Sequence, residues 1–249
     1  MKTAVIILAA GLGKRMKSDK AKVLHCLHGR PMVLYVVETA KRVVGENIVI
    51  VTGHQAEQVR DTISEFFTVR FAIQEKQLGT GHAVKCALPE IPVHIREIVI
   101  LCGDVPLVTE DTLIRLIDSH RGNHHDITVL VVEVDIPTGY GRVIVGPDGG
   151  VEKIVEEADA TEEERRVKTI NSGIYCVNRE QLEKAVLQIR PENKQNEFYL
   201  TDIVGIGKRT GMKIGVLVGT DPDEVIGINS PQDLEMAGKL LEKRKGKIT

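Results

Sequence analysis

Tryptophan is absent, and phenylalanine and tyrosine number only four each in 249 residues. The stacked aromatic platforms that hold single-stranded nucleic acid therefore have little to be built from. An excess of one charge is missing as well. The chain has 33 Lys and Arg against 35 Asp and Glu, and a net charge of −2 removes the basic footprint of a nucleic-acid-binding protein. No apolar run approaches the roughly 18 residues of a membrane span, so neither nucleic acid nor membrane is an expected partner. The apolar N-terminal run is too short and wrongly flanked for a span and lacks a signal-peptide cleavage pattern, which points to a cytoplasmic location. Cys26, Cys86, Cys102 and Cys176 are scattered without a C-x-x-C pair. That spacing argues against a zinc site and for reduced core thiols. No Ser-His-Asp or Cys-His set with a local signature occurs, so a covalent intermediate is not indicated.

What the chain does have is an informative beginning. Ala4 to Ala10 is a continuous apolar run that breaks at Gly11 and Gly13, followed by Arg15 and, further on, Lys22. A run without polar alternation reads as a strand buried on both faces. The two glycines let the backbone turn and present its N–H groups to an anion, and Arg15 and Lys22 add full positive charge. Such a loop suits a triphosphate, though a strand with a glycine turn can equally be a plain tight turn. It is not a Walker A loop, and Met16 stands where the dinucleotide fingerprint needs its third glycine. A P-loop NTPase and a nicotinamide enzyme are thereby disfavoured.

Strand and helix patterns then alternate. Pro31 suits a helix first turn, Ile48 to Val51 is a buried strand, and Val59, Ile63 and Phe66-Phe67 mark a helix. A strand near Val69–Ala72, a helix from Gly79 to Leu88 and a strand at Ile98–Leu101 follow. This alternation predicts an α/β fold with a mostly parallel sheet covered on both faces. The glycine turns after Ala10, Thr52 and Cys102 all fall at strand carboxyl ends, where such sheets bind ligands. In the second half, Ile127–Val134 reads as a strand, and Arg142–Val145 with Val151–Val155 as a hairpin across Pro147-Asp148-Gly149-Gly150. The charged run Glu156–Arg166 reads as a solvated excursion and Ile170–Val177 as a strand. Helices are expected at Glu180–Ile189 and Thr201–Arg209, a strand at Ile214–Val218, and an apolar strand-like segment at Val225–Asn229. Ser230 and Pro231 open a last helix, which runs into a basic tail, Glu242 to Thr249.

Several residues at these strand ends carry chemistry. Asp104 after Gly103 could ligate a divalent ion that bridges phosphates, or merely cap a helix. Asn229 offers a second oxygen ligand or a cap. Gln74, with the backbone around Gly79 and Thr80, can pair with a pyrimidine edge, while Gly79-Thr80-Gly81 also makes an ordinary helix start. Gly141, Glu156 and Asn171 can hydrogen-bond a polar, uncharged group such as a sugar, or serve as turn residues. His124-His125 lack a third metal ligand, and His25, His28 and His54 read as ordinary. Cations, one metal carboxylate and glycine cradles without a nucleophile fit phosphoryl-type transfer, in which positioning and charge neutralisation do most of the work.

In order along the chain stand Leu8-Ala9-Ala10-Gly11-x-Gly-x-Arg15-Met16, Lys22-Val23-Leu24-His25, Gln77 to Ala83 and Gly103-Asp104-Val105-Pro106-Leu107. Pro137 to Arg142, Ile154-Val155-Glu156, Ile170 to Ile174, Glu197 to Asp202 and Gly227-Ile228-Asn229 complete the set. This ordered set resembles the sugar nucleotidyltransferases. More closely, it is similar to the uridylyltransferase half of the bacterial bifunctional N-acetylglucosamine-1-phosphate uridylyltransferase / glucosamine-1-phosphate N-acetyltransferases. The resemblance implies a Rossmann-like three-layer α/β/α fold with a smaller β-rich sugar-binding part. It assigns residues 1–229 to the nucleotidyltransferase (pyrophosphorylase) domain and 230–249 to a C-terminal helix and tail. It implies that Leu8, Ala9, Ala10 and Gly11 line the nucleotide, that Gln74, Gly79 and Thr80 read uracil, and that Arg15 and Lys22 hold phosphates. Asp104 and Asn229 would ligate Mg²⁺, with Cys102 and Gly103 beside it, and Gly141, Glu156 and Asn171 would face N-acetylglucosamine. The implied catalytic set is Arg15, Lys22 and Asp104. The implied reaction joins UTP and N-acetylglucosamine 1-phosphate into UDP-N-acetylglucosamine, a peptidoglycan precursor, and pyrophosphate, by in-line attack on the α-phosphorus.

Two positions depart from the family's pattern. Ala21 replaces the usual proline before the lysine, and Cys102 stands where a tyrosine is frequent. The chain also shows no hexapeptide repeat and ends after the helix that would lead into the family's β-helix. It is expected to be a truncated form or a stand-alone uridylyltransferase, without acetyltransferase activity. The alternatives are a uridylyl- or thymidylyltransferase for another sugar 1-phosphate, and a non-catalytic sugar-nucleotide-binding domain.

Overall fold

The first strand, β1 (Thr3–Ala9), is apolar on both sides because both sides are covered. Ala4 and Ile6 enter one hydrophobic cluster, and Val5, Ile7 and Ala9 enter another. The structure, a computed structural model, describes residues 2–146 and 149–245. After β1 come 3-10 turns at Lys14–Met16 and Lys22–Leu24, then the short strands β2 (Cys26–Leu27) and β3 (Arg30–Pro31). Helix α1 (Met32–Val44) leads to β4 (Ile48–Thr52), α2 (Ala56–Ser64) and β5 (Arg70–Ile73). Next are α3 (Thr80–Ala87), β6 (Glu97–Cys102), α4 (Glu110–Gly122) and β7 (Ile127–Glu133). The hairpin strands β8 (Arg142–Val145) and β9 (Val151–Val155) precede α5 (Glu162–Arg165) and β10 (Thr169–Asn178). Helices α6 (Arg179–Val186) and α7 (Asp202–Arg209), strand β11 (Ile214–Val218) and α8 (Pro231–Lys245) complete the chain.

The sheet runs β11-β7-β10-β6-β1-β4-β5. Strands β6, β1, β4 and β5 are parallel neighbours, as are β7 and β11, whereas β10 is antiparallel to both β6 and β7. One face is packed by α3, α6 and α7 through Val84, Leu182 and Ile203, the other by α1, α2 and α4 through Val36, Ile63 and Leu116. The fold is therefore a three-layer α/β/α sandwich with a mostly parallel sheet. The β8–β9 hairpin joins its β10 margin at Ile170 and Arg142. Each fully buried Ile or Val side chain contributes roughly 1.5–3 kcal/mol to this core. Helix α8 adds a third cluster, in which Ala237 meets Leu27, Met32, Leu107 and Ile228.

Some sequence expectations shift. Helix α4 is an addition to the elements the sequence pattern predicts, although Thr109 caps it and Leu113, Leu116, Ile117 and His120 are buried at helical spacing. Val225–Asn229 is no strand: a 3-10 turn (Pro222–Val225) gives way to irregular chain that runs to Ser230. Phe66 and Phe67 lie beyond the end of α2, and Pro31 is the residue before α1 rather than part of its first turn. The charged run from Glu156 is only partly solvated. Glu162 to Arg165 form an exposed turn closed by a Thr161–Glu164 capping box, but Glu156 and Glu157 are half-buried. Pro147 and Asp148 of the hairpin turn, and the tail residues 246–249, lie outside the described residues. Among the described residues, no helix is long and apolar enough to cross a membrane.

Candidate active site

Because β1, β4 and β6 are parallel and in register at Ala9–Thr52 and Leu8–Cys102, their carboxyl ends open at one rim. The loops leaving that rim are cross-linked by their backbones. Gly103 N–H donates to Leu8 O at 2.9 Å, His54 N–H to Ala10 O at 3.3 Å, and Gln74 N–H to Thr52 O at 2.8 Å. Between them lies a cleft of about 460 Å³ lined by Leu8, Ala9, Ala10, Gly11, Lys22, Gln74, Gly79, Thr80, Cys102 and Asp104. All ten are residues that sequence reasoning proposed. Leu12, Val23, Gln77, Ala83 and Glu197 complete the wall and were not singled out. Gln77 and Glu197 sit inside the recognised motifs, so their positions were the available signal.

The turn after β1 depends on glycine at one place above all. Gly13 has φ +63°, and a Cβ on it would stand 2.6 Å from Lys22 Cβ. Gly13 thus lets the Lys22 backbone pass close behind the loop. Gln55 staples the segment between them: its Oε1 accepts from Ala21 N–H at 2.6 Å, and its Nε2 donates to Asp19 O at 2.8 Å. The alanine that replaces the family's proline therefore supplies an N–H that proline lacks, and the loop gains a hydrogen bond for the rigidity it gives up.

Lys22 Nζ pairs with the Asp104 carboxylate and donates to Asn229 Oδ1 at 3.1 Å. Arg15 Nη2 donates to the same Asn229 oxygen at 2.9 Å, so four residues from three distant stretches converge. Neither acid nor amide is a cap. Helix α4 is capped by Thr109, and at α8 Asp233 accepts from the Asn229 and Ser230 N–H groups at 2.9 and 2.8 Å while Ser230 Oγ accepts from Asp233 N–H. The Asp233 contact fixes the Asn229 backbone, and Asn229 Nδ2 donates to Gly227 O at 3.0 Å, which orients Oδ1 toward the cations. Ile228 N–H donates to Asp104 O at 2.9 Å and locks the two loops together.

Gln74 is buried, and its Nε2 donates to Gly79 O and to His82 Nδ1, both at 3.0 Å. Burial, with Lys85 adding to it, holds His82 below the usual imidazole range, which keeps Nδ1 an acceptor. With its nitrogen spent in this way, Gln74 has its carbonyl oxygen to offer a ligand. Gly79, at φ +110°, could not carry a Cβ, which would lie 2.6 Å from Phe198 O. Thr80 Oγ1 accepts from Leu200 N–H at 2.9 Å, so its hydroxyl anchors the Glu197–Thr201 segment to the start of α3.

Beyond Cys102 stands a second group. Asn171 N–H donates to Gly141 O at 2.9 Å, and a Cβ on Gly141 would lie 3.4 Å from Glu156 Oε2. Gly141, Glu156 and Asn171 are therefore neighbours. They join the cleft through Gly173, whose carbonyl meets Cys102 Sγ at 3.8 Å. Burial first, then the Asp104 carboxylate, pushes the Cys102 thiol up to about 12, so it acts as a packing group and not a nucleophile. Burial, and then Asp159, Asp202 and Glu197, raises the Glu156 carboxyl above the usual range against a 3.3 Å hydrogen bond from Thr201. Gly103 does not face the cleft as openly as its neighbours: a Cβ there would press on Leu8 O at 3.1 Å and Val23 at 3.2 Å. Among the described residues, no group of three or more His, Cys, Asp or Glu could hold a metal ion. His125 instead meets Thr128, and His28 meets Gly238 O.

Residues 5–185 match the MobA-like NTP transferase domain model. The bifunctional protein GlmU of Geotalea uraniireducens (strain Rf4) is 48% identical over 244 residues, which are 98% of this chain and 53% of that protein. The bifunctional protein GlmU of Desulfotalea psychrophila (strain LSv54 / DSM 12343) is 40% identical across 98% of this chain and 72% of its own length. The chain spans about half the length of several other GlmU proteins that it matches at 44–47% identity. Among solved structures, HddC from Yersinia pseudotuberculosis complexed with GMP-PN superposes with TM-score 0.71, covering 97% of this chain and all of its own at 23% identity, a likeness of fold. With the fold, the cleft and these relatives in agreement, the chain belongs to the MobA-like NTP transferase family and is a GlmU relative.

Proposed function

We propose that the chain is an N-acetylglucosamine-1-phosphate uridylyltransferase, joining UTP and N-acetylglucosamine 1-phosphate into UDP-N-acetylglucosamine with release of pyrophosphate. The observation that carries this reading is the meeting of Lys22, Arg15, Asp104 and Asn229 at the rim beside the Gly11–Gly13 turn. Two cations held by a carboxylate and an amide oxygen are poised to exchange those partners for phosphate oxygens. The GlmU relatives support the substrate pair.

Asp104 and Asn229 present two hard oxygen donors to one ammonium, a donor set that suits Mg²⁺, which takes few protein ligands beside substrate phosphates and water. When bound, Mg²⁺ would neutralise charge on the phosphates and align them. The chain's own residues do the rest. Backbone N–H groups of the Gly11 turn face the phosphates, and the Gln74 carbonyl oxygen accepts from the base. Lys22 leaves Asp104 for the α-phosphate, where its charge grows in value as negative charge develops in the transition state. Arg15 holds the departing pyrophosphate. Gly141 leaves room for the sugar, and Glu156 and Asn171 hydrogen-bond its hydroxyl and amide groups. Attack of the sugar-phosphate oxygen on the α-phosphorus needs no protein nucleophile, which agrees with the inert Cys102.

Initial rates over a panel of nucleoside triphosphates and sugar 1-phosphates test the assignment. The expected result is a strong preference for UTP with N-acetylglucosamine 1-phosphate. Comparable rates with thymidine triphosphate and an unacetylated hexose 1-phosphate would move the assignment to a sister transferase.

A further inference from the structure

Behind the Gly141–Glu156 pair lies a charged cluster of Arg142, Glu157 and Arg165, none of which lines the cleft. Arg142 is 2% exposed, unusual for a guanidinium, and follows Gly141 directly; Glu157 follows Glu156 directly. Arg142 Nη2 meets Glu157 Oε2 at 2.7 Å, and its Nη1 donates to Tyr140 O. Glu157 Oε2 also accepts from Gly139 N–H at 3.3 Å. Arg165 closes the cluster from outside. Its Nη2 donates to Glu157 O at 3.3 Å, its Nε lies 3.8 Å from Glu157 Oε1, and its carbonyl accepts from Arg142 Nη2 at 3.4 Å.

We propose that Arg142 and Glu157 are positioning residues that set the spacing between Gly141 and Glu156, and so tune recognition of the sugar half of the substrate. The proposal rests on the uridylyltransferase reading for the identity of that half. The topology makes the pair necessary. Arg142 and Val155 are register partners at one end of the β8–β9 ladder, but Gly139, Tyr140 and Glu157 lie past it, where no strand pairing holds the backbone. One ion pair, buried at its Arg142 end and half-buried at Glu157, reaches Tyr140 O from one end and Gly139 N–H from the other and stands in for those missing ladder bonds. A surface pair would contribute little, but a buried bidentate-capable guanidinium is directional, and directionality is what positioning requires. Neither side chain lines the cleft, so their influence on a bound sugar passes through their chain neighbours Gly141 and Glu156.

The test uses the whole protein with Glu157→Ala, Glu157→Gln and Arg142→Lys, read by steady-state kinetics and by hydrogen exchange. In Glu157→Ala the KM for the sugar 1-phosphate is expected to rise about tenfold or more, as when a contact moves by ~1 Å, while the KM for UTP stays within about twofold. Glu157→Gln, which keeps an acceptor, should recover most of the loss. Arg142→Lys, which keeps the charge but not the fork, should not. Amides at residues 138–141 and 157–160 should exchange about tenfold faster in Glu157→Ala, and those of β1 should not. Equal changes in both KM values, or unchanged kinetics and exchange in a folded variant, would overturn the proposal. If Glu157→Ala does not fold, the Glu157→Gln and Arg142→Lys comparison still decides. Wild-type protein inactive on every sugar 1-phosphate would refute the enzymatic reading, and the exchange arm alone would then decide whether the pair holds these segments.

Discussion

At the scale of single residues, the site sets two cations against one carboxylate and one amide oxygen, which leaves net positive charge suited to phosphates. Lys22 and Asp104 are both mostly shielded from solvent, with side chains 16% exposed, so each offsets the other's charge. Lys22→Ala should lower turnover on the order of 10²-fold, the scale for removing one preorganised charge stabiliser, while the thermal midpoint moves only a few degrees. Kinetics and a melt on the same sample check this, and mild kinetic effects would discredit the assignment of Lys22. Glu156 supplies a second prediction with a definite sign. Burial, reinforced by Asp159, Asp202 and Glu197, raises its carboxyl in the folded protein. Between the ordinary glutamate range and that raised value, the folded state binds more protons than the unfolded state, so stability falls as pH rises. Glu156→Gln removes this cost. It should raise the melting temperature at about pH 8, lose that gain near about pH 4 where both states are protonated, and weaken sugar-phosphate binding throughout. A lower melting temperature at the higher pH would show that the carboxylate is stabilised, contrary to the burial argument.

Elements differ in how clearly the sequence announces them. Strands β1, β4 and β6 are legible because burial on both faces leaves unbroken apolar runs, and their carboxyl-end glycines mark where ligands gather. Helix α4 is hidden by its polar face, where Glu110, Asp111, Arg115 and Asp118 dilute the apolar stripe, although its cap is of the usual kind. The direction of β10 is not legible either, since a strand's apolar pattern is the same read either way and only its connection decides. Val225 to Ile228 resembles a strand because Val225, Ile226 and Ile228 make an apolar run, yet Pro222 starts a 3-10 turn and the Ile228 N–H goes to Asp104. Of the candidate site, residue types and neighbourhoods were readable; the Lys22 counter-charge and the Gln55 staple were not, because both join segments far apart in sequence. Helix α4 gives an element-scale prediction. Thr109 Oγ1 accepts from Thr112 N–H at 3.3 Å and donates to the Glu224 carboxylate at 3.1 Å, so Thr109→Ala should cost about 1–2 kcal/mol and lower the melting temperature by roughly 2–8 °C. Differential scanning calorimetry reads both numbers. An unchanged melt would mean that neither the cap nor the Glu224 bond contributes.

For the molecule as a whole, the site exists only in the complete fold. Arg15 and Asn229 meet across 214 residues, and Lys22 and Asp104 across 82, so no fragment of the sheet holds the cluster. Three layers fix the parallel strands, the strands fix the rim, and the rim brings cations, oxygen donors and glycine turns to one cleft. We propose that this convergence catalyses transfer between two anions. The most direct measurement is pyrophosphate release from UTP and N-acetylglucosamine 1-phosphate, with and without Mg²⁺, for the wild-type protein and Asp104→Asn. Release should need both substrates and the metal, and drop on the order of 10²-fold in the variant. Release that proceeds undiminished in folded Asp104→Asn, or none at all from the wild-type protein with Mg²⁺ present, would contradict it.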